Sequence, residues 1–150
     1  MKKILLVLIS SITFLAISSS ANAIKVGALY LDTAGFFGEI KVGIEAAGAE
    51  EGIELTGANS QSDVAKESEF IDTLIAKGVD VVIMSPVSTD SSVAAVERLA
   101  EAGIPVVCYN TCLNDDDAAR LAYALVTTSQ RELGYPVGVM AGEWAIKAEI

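Results

Sequence analysis

Ile24-Lys-Val-Gly-Ala-Leu-Tyr-Leu-Asp-Thr-Ala-Gly-Phe-Phe-Gly38 decides the fold. Ile24, Val26, Ala28 and Tyr30 alternate with their neighbours, yet Leu29 and Leu31 are apolar as well. Near-continuous apolarity of this kind suits a strand covered on both faces, as in a parallel sheet. Sheets of that type open into a crevice at the carboxyl ends of their strands. Phe36 and Phe37, flanked by Gly35 and Gly38, are expected at that end on a loop, where a flat and partly apolar ligand would give them a role. Placement in the core is the plainer alternative for the pair.

Outward from this stretch the same plan repeats. A helix is expected over Gly38–Glu51, with Ile40, Ile44 and Ala47 on one face and Gly52 as its stop. A short strand follows over Ile53–Asn59. Ser62 or Asp63 is placed to cap a helix carrying Val64, Ile71, Leu74 and Ile75, which ends at Gly78. Val79–Ser85 reads as the third strand. Thr89 or Asp90 is expected to cap a third helix bearing Val93, Val96 and Leu99. Ile104–Tyr109 is the fourth strand, Asp115–Asp117 an acidic loop and Ala122–Thr127 a fifth strand. A last helix is expected from Arg131 onward, with Pro136 as a possible true start. The order predicts an α/β, doubly wound parallel sheet with helices on both faces. Trp144 and Ile150 sit in a final helix that either folds back on the sheet or belongs to a second domain.

Before this unit lie Lys2 and Lys3, the apolar run Ile4–Ile17, and Ser-Ser-Ser-Ala-Asn-Ala23. A positive start, a short apolar core and Ala21-x-Ala23 make a secretory signal peptide over residues 1–23, too short and too interrupted for a spanning helix. The expected location is the periplasm. Ten basic residues face twenty acidic ones, and removing Lys2 and Lys3 leaves eight, a net charge of −12. Such a surface repels nucleic acid and anionic lipid. Histidine is absent, which excludes Ser-His-Asp and Cys-His catalysis within the chain.

Cys108 and Cys112 are the two cysteines. An oxidising compartment permits a bridge, but four residues of extended strand span about 13 Å, beyond the reach of a disulfide. Two free thiols are therefore the favoured reading, with a disulfide requiring a sharp turn at Asn110. Metal binding is not expected, since two thiolates without histidine leave a coordination shell half empty and Asp115–Asp117 lack a calcium-loop pattern. No cofactor is expected, because Gly35-x-x-Gly38 falls short of a dinucleotide or phosphate fingerprint.

Several segments together resemble the periplasmic sugar-binding proteins of the ribose/galactose type, the soluble receptors of ABC sugar importers. They are Gly35-Phe36-Phe37, where ribose-type members have Pro-Phe-Phe; Gly78-Val-Asp-Val-Val-Ile-Met-Ser-Pro86; Gly103-Ile-Pro-Val-Val107 with Asn110 beyond it; and Gln130-Arg-Glu-Leu-Gly134 followed by Met140-Ala-Gly-Glu-Trp144. The likeness covers essentially all of 24–150. It implies a type I periplasmic-binding-protein fold, in which two α/β lobes close on a sugar. Residues 24–127 would be the first lobe, and 128–150 the hinge crossing and first helix of a second. It implies that Phe36 and Phe37 pack on a sugar ring, and that Asn110 stands where ribose-type members carry an Asp that binds two hydroxyls. An amide both donates and accepts, so a polyol remains bindable without a carboxylate's charge-assisted strength.

Thr111 stands in place of an Arg, Tyr30 in place of a small polar residue and Ala34 in place of an Asn, which argues against ribose itself. Asp32 is a further polar candidate, and Asp90 is a helix cap first and a ligand contact second. The partners implied are a sugar or polyol and the membrane subunits of an ABC importer, with a chemoreceptor as a further candidate. Enzymatic activity is not expected. The chain as it stands is expected to bind sugars weakly or not at all, because one lobe offers half a clamp.

Overall fold

The computed structural model describes residues 23–149; the expected signal peptide falls, but for Ala23, outside the described residues. The chain alternates strand and helix five times. The elements are β1 (Lys25–Tyr30), α1 (Gly35–Glu50), β2 (Glu54–Asn59), α2 (Val64–Lys77), β3 (Val81–Met84), α3 (Val93–Glu101), β4 (Val106–Tyr109), α4 (Asp115–Leu121), β5 (Ala122–Val126) and α5 (Gln130–Lys147). The five strands form one sheet in the order β2-β1-β3-β4-β5, every neighbouring pair parallel. This is the doubly wound α/β arrangement the strand pattern predicts.

The two faces of the sheet are read from alternate residues. Leu29, Val82, Met84, Val106 and Cys108 join Ile71 and Leu74 of α2 and Ala95, Val96 and Leu99 of α3 in the main buried cluster. Gly27 lies on that face, and a Cβ there would sit 2.8 Å from Leu74 Cδ1; glycine is what lets α2 settle against the centre of the sheet. On the opposite face α1 brings Ile44, Ala47 and Gly48 against Val26, Leu55, Val81, Ile83 and Val107, around an apolar hollow of about 310 Å³.

The helix ends show local chemistry at work. Asp63 caps α2 by accepting the Ala65 and Lys66 N–H groups at 2.8 and 3.2 Å, and Gly78 closes it at φ 62°, a left-handed conformation that glycine adopts freely.

Four local expectations are corrected. The helix carrying the phenylalanines begins at Gly35, so Phe36 and Phe37 stand on its first turn and not on a loop. Asp115–Asp117 are the first turn of α4: Asn114 Oδ1 accepts the Asp117 N–H at 3.1 Å, and three acids suit the positive end of a helix dipole. Neither Thr89 nor Asp90 caps α3, which follows Ser92; the Asp90 carboxylate instead accepts from Asn114 Nδ2 at 3.0 Å. Finally, Pro136 lies inside α5. Ser129 starts that helix by accepting the Glu132 N–H at 3.2 Å, and the proline forgoes one intrahelical bond.

Candidate functional site

Parallel pairing brings the carboxyl ends of all five strands to one edge. Asp32 and Thr33 follow β1, Ser60 follows β2, Ser85 follows β3, Asn110 follows β4 and Thr127 follows β5. Ser60 is fully buried, and its hydroxyl donates toward the Tyr30 and Leu31 carbonyls at 3.2 and 3.3 Å. It pins the turn out of β1 from which α1 starts. Gly35, at φ 51°, supplies the positive-φ step into that helix.

A hollow of about 310 Å³ opens at this edge, lined by Phe36 and Ile40 of α1, Tyr109 and Asn110 at the end of β4, and Val126, Thr127 and Thr128 after β5. One wall is aromatic and aliphatic; the other carries an amide and two threonine hydroxyls. Phe36 is 63 % exposed. Its ring meets that of half-buried Phe37 edge to face, centroids 5.2 Å apart and planes at 78°, a favoured aromatic geometry. Tyr109 is nearly buried, its hydroxyl donating to the Leu29 carbonyl at 3.4 Å. Burial pushes its phenol pKa up, so it remains a neutral donor. Asn110, Thr127 and Thr128 also border a second hollow of about 540 Å³ that runs along Thr111–Asp115.

The structure thus brings Phe36 and Asn110 together and sets the other candidates apart. Phe37 backs the Phe36 ring without lining the hollow. Tyr30 is only 2 % exposed. Its ring lies beneath the Lys41 ammonium at 5.7 Å, and burial, with the Glu45 carboxylate next, pushes its phenol up to about 12. Asp32 turns back on its own loop, accepting the Thr33 N–H at 2.6 Å. Asp90 is exposed and engaged by Asn114. Tyr109, Ile40, Thr127 and Thr128 line the hollow without having been singled out by the sequence.

The loop after β4 also differs from the favoured expectation. Cys108 and Cys112 are bonded, their Cα atoms 5.3 Å apart, so they are not free thiols. The chain makes the turn that a bridge requires, with Asn110 at φ 62°. No group of three His, Cys, Asp or Glu side chains suited to a metal occurs among the described residues, and no described helix is long and apolar enough to cross a membrane.

A parallel sheet with a crevice of this composition at its carboxyl edge matches a known class of binding protein. The periplasmic binding protein domain is matched over residues 27–148, and the chain belongs to that family, with the fold of one lobe of a type I member. It is 37 % identical over 134 residues to the ABC transporter periplasmic-binding protein YphF of Escherichia coli, covering 88 % of this chain and 41 % of that protein. The likeness to the xylitol-binding protein of Mycolicibacterium smegmatis is 29 % over 102 residues, covering 68 % of this chain and 29 % of the other. Among solved structures, the binding component of the arabinose ABC transporter from Shewanella sp. ANA-3, bound to α- and β-L-arabinofuranose, superposes with a TM-score of 0.72. That match has 23 % identity and covers 83 % of this chain and 40 % of that one. A galactofuranose-binding protein superposes at 0.73 with 19 % identity, covering 81 % and 41 %. The chain therefore spans well under half the length of these relatives.

Proposed function

We propose that the protein is the substrate-binding component of an ABC importer, that it works in the periplasm after export through its N-terminal leader, and that it captures a sugar or related polyol. The observation that carries this reading is the exposed Phe36 ring standing across one hollow from Asn110, Thr127 and Thr128. A sugar ring has apolar C–H faces and a rim of hydroxyls. Phe36 and Ile40 offer the apolar wall; Asn110 and Thr128 offer donors and acceptors to the rim, and Thr127, whose hydroxyl donates to the Asn110 carbonyl, offers an acceptor. Relatives named for xylitol and for furanose sugars support a ligand of this class.

On this reading residues 24–127 form one wall of the binding cleft, and 128–150 begin the crossing to a second lobe that supplies the other. None of the lining residues of the Phe36 hollow is a carboxylate, so the acid–base pair of a glycoside hydrolase has no place there, and we read the protein as a binder and not an enzyme. The importer's membrane subunits are its proposed partner, with a chemoreceptor as a second.

Calorimetry of the chain against pentoses, hexoses and polyols tests this reading. We expect heats from a subset of these sugars, weaker than about 1 mM in dissociation constant for a single lobe and lost in N110A. Turnover of a glycoside, or binding that N110A and F36A leave untouched, would contradict it.

A further inference from the structure

The Cys108–Cys112 bridge encloses the one residue on the β4 side that offers an amide to the hollow. β4 leaves the sheet at Tyr109, and Asn110 follows at φ 62°. The Thr111 N–H donates back to the Tyr109 carbonyl at 2.7 Å. A three-residue turn of this kind with a positive φ at its middle residue is the uncommon, strained γ-turn, and strain of that sort persists only when the surroundings hold it.

Two hydrogen bonds grip the apex: Asn110 N–H to the Val126 carbonyl at 2.9 Å, and Thr127 Oγ1 to the Asn110 carbonyl at 3.0 Å. The bridge grips the base. Cys108 is 1 % exposed and Cys112 6 %, and both belong to the main buried cluster beside Leu113. With a sequence separation of only 4, the crosslink restrains the unfolded chain far less than a long-range one would. Its principal effect falls on the turn it encloses.

We propose that Cys108 and Cys112 are positioning residues: their bridge holds Asn110 in the left-handed conformation that keeps its amide on the hollow shared with Phe36. With the bridge open, Asn110 relaxes toward the negative φ that asparagine prefers, and the amide leaves the hollow. The proposal rests on the sugar-binding reading only where it treats Asn110 as a ligand group; the backbone consequence stands without any ligand.

Amide hydrogen exchange by NMR on the 15N-labelled chain tests it, comparing wild type, C108A/C112A and C108A/C112A/N110G. In the double variant, exchange at Asn110 and Thr111 is expected to quicken by at least about tenfold, while Val82, in the centre of the sheet, changes by less than about twofold. Glycine takes positive φ without cost, so N110G is expected to restore part of the protection at Thr111, a rescue that a purely global staple would not give. Should the double variant fail to fold, C112S opens the bridge while leaving Cys108 in the core, and the same amides are read. Unchanged exchange at 110 and 111, or a loss spread evenly over the sheet, would overturn the proposal. Repeating the titration with the same pentoses, hexoses and polyols separates the two readings. Loosening at 110 and 111 together with a sugar response that N110A leaves untouched would sink the sugar reading alone. A sugar response with unchanged exchange would sink the role of the bridge alone.

Discussion

Phe36 leaves most of its ring in solvent although it stands on the first turn of a helix, so its removal separates binding from folding. F36A is expected to change stability by less than about 0.5 kcal/mol and to weaken sugar binding by about tenfold, close to 1.4 kcal/mol. Chemical denaturation and calorimetry on the same preparation check both halves. Glu67 presents the reverse case. It is fully buried; one carboxylate oxygen accepts the Val87 N–H at 2.8 Å, and the other has no partner, as is true of the nearby Ser85 hydroxyl. Burial raises its pKa, against smaller opposing contributions from Ser92 and Val87. A raised carboxyl pKa means the folded state binds the proton more tightly than the unfolded chain does. The associated stability is therefore present in acid and lost as pH rises through the folded-state value. E67Q, which keeps an acceptor for Val87 without the buried charge, is expected to unfold at higher temperature than wild type at neutral pH, with the gap closing in acid. E67A orphans the Val87 N–H and leaves a cavity, and is expected to cost about 2–4 kcal/mol. Melting curves of all three from pH 4 to 8, a range spanning carboxyl titration, decide it; a wild-type advantage over E67Q that grows with pH would contradict the assignment.

At the level of elements, the alternation of strand and helix was legible because β1, β3 and β4 are nearly continuously apolar and each of α1, α2 and α3 is followed by a glycine stop. The errors have local causes. Asp115–Asp117 look like a solvated loop because their helix is short and polar, and its capping residue, Asn114, carries no apolar period to announce it. Pro136 reads as a boundary because sequence alone cannot weigh one lost hydrogen bond against a cap at Ser129. Of the hollow's lining, Phe36 stood out as a residue type that needs a reason at a strand's end, and Asn110 through its place in the family resemblance. Tyr109 and Ile40 looked like ordinary core residues, and Thr127 and Thr128 like connector. Their convergence depends on β5 pairing beside β4 and on the tilt of α1, which are tertiary facts. Gly27 is likewise silent in sequence yet sets how closely α2 approaches β1. G27A would press on both Leu74 methyl carbons, 2.8 and 2.9 Å from the new Cβ, within a cluster that has little room to yield. We expect a loss of about 1–3 kcal/mol by chemical denaturation; a neutral result would mean that Leu74 repacks freely.

The sheet is well packed on one face and more loosely covered on the other. The α2–α3 face holds the main cluster, whereas Val81, Ile83 and Val107 are only half-buried under α1. α5 buries none of its residues, and Leu133, Tyr135, Val137, Met140, Trp144 and Ile146 are exposed. A chain ending at Ser129 is accordingly expected to unfold within about 0.5 kcal/mol of the chain that includes α5, as denaturant titration would show. That result would support the proposal that residues 24–127 fold as a unit without α5. The central claim, that the carboxyl edge beside Phe36 and Asn110 receives a sugar, is tested most directly by titrating the 15N-labelled chain with pentoses, hexoses and polyols and mapping the amide shifts. The account predicts concentration-dependent shifts clustered at Phe36, Ile40, Tyr109, Asn110, Thr127 and Thr128. Shifts confined to the apolar hollow under α1, or sugar-dependent shifts that leave Phe36 and Asn110 unmoved, would contradict it.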